Sequence, residues 1–275
     1  MDENTIPNLV DLKKAVDHYN NEIEMITRKI KNLVLTTQEY EKNLTVQLQN
    51  SLIGWLERFS GTSGDPKIFQ LPHNMSKVFE IFCRWFLCTL CKYPTVMETT
   101  SELSSIIKGF LEGRNRIIEL TGQANDMGCD IVMRNDEKPY CVIQCKKSKS
   151  IASGEGNNIV LALTGSMVYI NCRYGLLMSS EQRELTDNTK KLIDHLSKKS
   201  SHHIQHLSSD GIKSIMKQFT MKISLFMINN FMEDLQKNTV KNELTDTVER
   251  CEENYKKLKR TFETLNKRVN QFETE

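Results

Sequence analysis

A chain of 275 residues, 39% apolar and 26% charged, has room for one large domain or for a domain of about 150 residues with appendages. A net charge of +2 excludes a globally basic nucleic-acid binder, so any such contact must rest on a local patch. No apolar run reaches the roughly 20 residues of a membrane span, the first residues lack an apolar signal core, and the eight cysteines are irregularly placed. The expectation is an intracellular protein with reduced, mostly buried thiols.

From Leu9 the apolar residues step in alternating threes and fours: Leu12, Val16, Tyr19, Ile23, Ile26, Ile30, Leu33, Thr37, Tyr40, Leu44. This is a heptad seam, interrupted only by Thr37, and so narrow a stripe needs a partner helix to leave water. The helical pattern runs on through Leu52, Trp55, Leu56 and Phe59, which makes residues 1–59 an N-terminal coiled-coil helix. The Gly/Ser/Pro-rich stretch that follows reads as a linker, 60–74.

Residues 75–92 form a strongly apolar helix with one anomaly, Glu80, set among Phe79, Ile81 and Phe82. A carboxylate there needs a partner or a role. Arg84, one turn on, is the plain partner; an inward view of a site on the sheet is the functional one. Cys88 and Cys91 share a C-x2-C spacing, but no second pair at zinc-site spacing follows, which favours buried thiols over a metal.

Three short strands come next, at 116–120, 129–134 and 140–146, the last two separated by the polar turn NDEKP, 135–139. Asp130 falls in the second strand, Gln144 and Lys146 in the third. Residues two apart on a strand share a face, so Gln144 and Lys146 point the same way, and an antiparallel neighbour can bring Asp130 beside them. Cys141, Ile143 and Cys145 take the other face, suited to packing under a helix.

A glycine-bearing loop leads to a helix at 158–170, whose small Ala162 and Gly165 suit close packing on the sheet. A buried strand follows at 175–180, a helix at 181–199 and a last strand at 202–207, with Ser208, Ser209 and Asp210 as helix caps. His202, His203 and His206 do not all share a face of that strand, which points to a solvated edge strand rather than a metal site. From Ile212 the pattern is helical to the end. Leu244, Val248, Cys251, Tyr255, Leu258, Phe262, Leu265, Val269 and Phe272 make a second heptad seam within a C-terminal helix, 216–275. Two seams pair with each other or with those of a second chain; an arrangement that includes a homodimer is the expectation.

A carboxylate, an amide oxygen and an ammonium on one sheet face suit a hard cation and a phosphate. Phosphodiester cleavage needs both: charge neutralised on the non-bridging oxygens, and a water activated for in-line attack. MGCDIVM followed by YCVIQCKK resembles the PD-(D/E)XK nuclease superfamily, and within it the Mrr-type restriction endonucleases, whose G-x-D strand is followed about a dozen residues later by Q-x-K. The residues here are Gly128, Asp130, Gln144 and Lys146. The succession helix, three strands, helix, strand, helix, strand agrees, and the resemblance covers 74–215, about half of the chain, without reaching the heptad helices.

The resemblance implies an α/β restriction-endonuclease-like core at 75–215, a mixed sheet of αβββαβ order flanked by helices. It implies Mg²⁺, with Mn²⁺ able to substitute, held by Asp130 and Gln144 while Lys146 assists the attack. Glu80 matches the family's helical glutamate and would support the metal or its waters; Asp126 matches a further acidic position. Lys147 and Lys149, beside Lys146, would meet the DNA backbone. The reading is a nuclease hydrolysing DNA; the alternative is a silent nucleic-acid-binding adaptor or structural coiled-coil protein, and RNA cleavage is a third.

Overall fold

A computed structural model of the chain describes residues 9–59, 75–97, 101–121, 129–147, 155–181 and 185–236, together with Arg260 and Thr264. The chain divides into two units, residues 1–44 with 243–275, and residues 45–242.

Helix α1, Leu9–Phe59, carries two successive patterns. In the first unit Ile26, Ile30, Leu33, Thr37 and Tyr40 are half-buried, while most residues between them are exposed. The Thr37 hydroxyl is satisfied within the helix by the Leu33 carbonyl at 2.7 Å, so the polar interruption leaves no orphan group. The second seam lies outside the described residues, apart from Arg260 and Thr264, which are helical, exposed and not part of it.

In the second unit the α1 stripe widens to Leu48, Leu52, Trp55, Leu56 and Phe59, all buried, the breadth expected of a helix that faces a core. These side chains meet α2, Met75–Lys92, and α7, Met221–Gln236, through a run of tilted and edge-to-face rings. Phe59 lies 5.2 Å from Phe79 and 5.5 Å from Phe82, and Phe231 lies 5.2 Å from Trp55 and 5.5 Å from Phe82.

After α2 a 3-10 turn, Pro94–Met97, leads to helix α3, Ser101–Glu112, which the sequence reading passed over. Its signal is present: Leu103, Ile106, Ile107 and Phe110, all buried, stand at helical spacing. Strands β1, Ile117–Leu120, β2, Ile131–Asn135, and β3, Lys138–Lys146, form an antiparallel meander. The expected five-residue turn between the last two shrinks to Asp136 and Glu137. Both have positive φ, 47° and 68°, as a two-residue hairpin turn of matching twist demands.

Helix α4, Gly156–Ile170, and helix α5, Asp187–Ser200, alternate with β4, Tyr174–Ser179, and β5, His203–Leu207. The five strands lie in the order β1-β2-β3-β4-β5, the last two pairs parallel, so the sheet is mixed and β5 is an edge strand, as expected. Helix α5 starts six residues later than expected, at Asp187, because the Thr186 side chain accepts the Thr189 N–H and caps it there.

Ala162 and Gly165 are exposed, and a methyl group on Gly165 would meet nothing within 4 Å. The close approach of α4 is made from the sheet instead: a Cβ on Gly175 of β4 would lie 2.6 Å from the Met167 sulfur. The continuous helix expected from Ile212 is broken. Helix α6, Ser209–Met216, is capped by Ser208, the chain turns at 217–220, and α7 begins at Met221. Gln49 of α1 donates to the Lys217 and Phe219 carbonyls of that turn at 3.0 and 2.7 Å, holding it open.

Two layers cover the sheet. On one face Val132, Val142, Leu177 and Ile204 pack against Ile159, Val160, Leu163 and Met167 of α4. On the other, α2 lies over β1 and β3.

Candidate active site

Strand β3 sorts its side chains as the sequence alternation requires. Val142, Gln144 and Lys146 face the α4 side, and Cys141, Ile143 and Cys145 the α2 side, where the Cys145 thiol meets Cys83 of α2. Burial pushes the Cys145 thiol well up, and the neighbouring Cys83, Asp130 and Glu80 push the same way.

Asp130 sits one residue before β2, not inside it. Its N–H donates to the Ile143 carbonyl at 2.9 Å, although Ile143 is already the ladder partner of Ile131. The pairing with β3 thus carries on one residue beyond the end of β2. The Asp130 carbonyl accepts the Thr121 N–H at 3.0 Å, and the Thr121 hydroxyl donates to the Cys129 carbonyl. The carboxylate then accepts the Cys145 N–H through Oδ2 at 2.5 Å. It is held against the β3 main chain between Gln144 and Lys146.

Gln144 is 4% exposed, and its Oε1 has no hydrogen-bond partner among the described residues. A buried amide oxygen without a donor is costly to leave unmade. Lys146, half-buried, ends the strand, with its carbonyl taken by the Ser180 N–H at 3.1 Å; Lys147 follows, its carbonyl taken by the Ser180 hydroxyl at 2.9 Å. Ser180, fully buried, therefore anchors the end of β3, a role the sequence reading did not assign; its signal is a polar residue closing an otherwise apolar strand.

Glu80 is 16% exposed and pairs with Lys77 at 2.7 Å, not with Arg84. Arg84 is drawn elsewhere: Nε donates to the Ile118 carbonyl at 3.0 Å and Nη1 to Asp234 of α7 at 2.8 Å. Glu80 does look towards the sheet, but it reaches the Asp130 region from the α2 layer, across Cys145, while Gln144 and Lys146 lie on the opposite face. Asp126, Gly128 and Lys149 lie outside the described residues.

Among the described residues no three His, Cys, Asp or Glu side chains gather as a metal set. The donors at hand are one carboxylate and one amide oxygen, a pair of hard oxygen ligands that suits a hard divalent cation rather than zinc. The orphaned Gln144 Oε1 is the observation that makes the fit, since a cation would supply the partner it lacks. Cys88 and Cys91 are half-buried free thiols, pushed up by burial to about 11 and about 12, and remain protonated at neutral pH. Edge-strand histidines are held by neighbours: His203 contacts Arg173 at 3.1 Å and stacks on Tyr174, and His206 bonds the Ser179 hydroxyl at 2.9 Å. No helix among the described residues is long and apolar enough to cross a membrane.

Among known proteins, the family model for restriction endonucleases, in its Mrr-type catalytic form, matches residues 98–216. The match spans α3 through α6, including the whole sheet, and leaves out α1, α7 and the helix that carries Glu80. No curated protein and no solved structure matches the chain. Nucleases of this kind use divalent metal ions in general. The five-stranded mixed sheet agrees with that match: residues 98–216 match the restriction-endonuclease family of the PD-(D/E)XK nuclease superfamily.

Proposed function

We propose that the protein is a Mg²⁺-dependent endonuclease that hydrolyses DNA phosphodiester bonds, assembled as a dimer through its coiled-coil helices. The observation that carries this is the buried Gln144 Oε1, which has no partner among the described residues, one residue before the Cys145 N–H that the Asp130 carboxylate accepts, with Lys146 two residues along the same strand face.

Asp130 and Gln144 are the residues to hold the metal. The bond from Cys145 N–H fixes one carboxylate oxygen, and a carboxylate has acceptor capacity for several partners at once. Two protein ligands leave most of an octahedral shell to water and phosphate. When bound, the metal supplies charge neutralisation on the phosphate and acidifies a water.

Lys146 makes no ion pair among the described residues, so its ammonium is available to bind the scissile phosphate and to orient the attacking water. Lys147 and Lys149, next in the sequence, are the further cations to meet the DNA backbone. Glu80 serves at one remove: its charge lies on the far side of Cys145 and supports the waters of the site rather than the metal directly. Mn²⁺ takes the same oxygen donors.

The test is cleavage of supercoiled and linear DNA by the purified chain with Mg²⁺, with Mn²⁺ and with chelator. Cutting is expected with either metal and absent with chelator, and Asp130→Ala and Lys146→Ala should each lower it by about 100-fold or more. Cutting that survives both substitutions would sink the site assignment. DNA binding without cutting under any metal would leave the silent adaptor as the function.

A further inference from the structure

The carboxylate of the site belongs to a residue that stands just before β2. A peptide chain has two soft dihedrals per residue, so the direction of the Asp130 side chain is set by the two peptide planes that flank its Cα. Both planes are held. The plane between Cys129 and Asp130 is gripped from two sides: the Asp130 N–H donates to the Ile143 carbonyl of β3 at 2.9 Å, and the Cys129 carbonyl accepts the Thr121 hydroxyl. The plane between Asp130 and Ile131 is gripped through the Asp130 carbonyl, which accepts the Thr121 N–H at 3.0 Å.

Two of those three bonds come from one residue. Thr121 follows the last residue of β1, Leu120, which is opposite Ile131 in the antiparallel register. Its N–H bond continues that ladder, and any residue but proline could make it. Its second bond needs a short side-chain hydroxyl, which only threonine and serine carry. The hydroxyl is therefore the part of the clamp that the choice of side chain decides. Once the Cα–Cβ direction is fixed, the carboxylate can still rotate, and the Cys145 N–H restrains it by donating to Oδ2 at 2.5 Å.

We propose that Thr121 is a positioning residue for the nuclease site: its hydroxyl holds the peptide before Asp130 so that the carboxylate meets the Cys145 N–H and the metal together. The metal belongs to the nuclease reading, on which this rests; the hold on the carboxylate belongs to the chain's own hydrogen bonds. Thr121 touches neither metal nor phosphate and acts only through Asp130. Groups that orient a metal ligand in this way are worth roughly 10- to 100-fold in metal affinity or activity, and one that acts through the ligand's main chain belongs at the lower end.

The experiment compares Thr121→Val, which keeps the shape and the N–H but loses the hydroxyl, with Thr121→Ser, which keeps the hydroxyl. Thr186→Ala, which removes the cap of α5, controls for a general loss of stability. The first readout is taken on the full chain without metal: hydrogen exchange of the Cys145 amide, followed by NMR relative to its β3 neighbours. Thr121→Val should speed it about tenfold, while Thr121→Ser and Thr186→Ala leave its rate relative to those neighbours unchanged. The second is Mn²⁺ binding, read from the electron paramagnetic resonance of the free ion. Thr121→Val should weaken it about tenfold, Thr121→Ser should keep it and Asp130→Ala should abolish it. Cys145 exchange or Mn²⁺ affinity unchanged in Thr121→Val would overturn the proposal, as would an equal effect in Thr186→Ala. A wild-type chain that binds no Mn²⁺ would instead sink the metal assignment, and the exchange rates would still decide whether Thr121 holds the carboxylate.

Discussion

Gln144 shows how a single residue trades stability for chemistry. A glutamine at a position 4% exposed, with no partner for Oε1 among the described residues, is a poor choice for holding a sheet together, since methionine fills a similar volume without an orphan acceptor. Gln144→Met is therefore expected to raise the stability of the metal-free protein by about 1 kcal/mol, read by urea unfolding in chelator, while abolishing cleavage. Gln144→Glu should act oppositely: it buries a second carboxylate, destabilises the metal-free chain, and lowers the Mg²⁺ concentration needed for half-maximal cutting. If Gln144→Met proves strongly destabilising, Oε1 has a donor and the metal assignment loses its support.

At the scale of elements, α4 and β4 show that one residue type does opposite work in neighbouring places. Gly165, in the helix interior with open space around it, contributes only backbone entropy cost, so Gly165→Ala should stabilise by about 0.5–1 kcal/mol. Gly175→Ala puts a methyl group 2.6 Å from the Met167 sulfur and 3.4 Å from Leu163, and should destabilise by about 1–3 kcal/mol; equilibrium unfolding of the two variants checks both signs. Helix α2 carries a pH signature. Cys88 and Cys91 ionise at their ordinary value of 9.0 when unfolded, but only at about 11 and about 12 when folded, because burial disfavours the thiolate. Their contribution is fully present below pH 9. Between pH 9 and 11 the unfolded chain releases protons the folded one keeps, so stability falls as pH rises, by about 1–3 kcal/mol. Replacing both cysteines with serine should flatten that alkaline limb in unfolding curves taken from pH 8 to 11.

At the scale of the molecule, α1 serves two purposes along one continuous helix. Its later turns, Leu48 to Phe59, are core residues beside α2 and α7, and its earlier stripe, Ile26 to Tyr40, has the narrow width of a coiled-coil seam. If that seam joins two chains, sedimentation of the full chain gives the mass of a dimer, and Ile30→Asp gives a monomer. Double-strand cleavage needs two sites acting together, so the same substitution should shift plasmid products from linear towards nicked circles. A monomeric wild-type chain that still linearises plasmid would rule the seam out as the source of paired sites.

Much of this architecture is a local property of the chain. Apolar spacing alone locates α2 residue for residue and β1 to within one, because burial demands a period of 3.6 or 2 and each demand is met within a few neighbours. The alternation along β3 likewise announces that Gln144 and Lys146 share a face. What local pattern does not carry is which partner satisfies a polar group. Arg84 stands one turn from Glu80, yet bonds Ile118 and Asp234, the latter 150 residues away, once α7 is packed alongside. Asp130 reads as a strand residue, but it stands just before β2, where its N–H bonds the Ile143 carbonyl and its carboxylate accepts the Cys145 N–H. The break after Met216 is stabilised from Gln49, far back in the chain. Periodicity determined which faces seek burial; only the assembled layers decided which hydrogen bonds those faces make, and so where the site's carboxylate points.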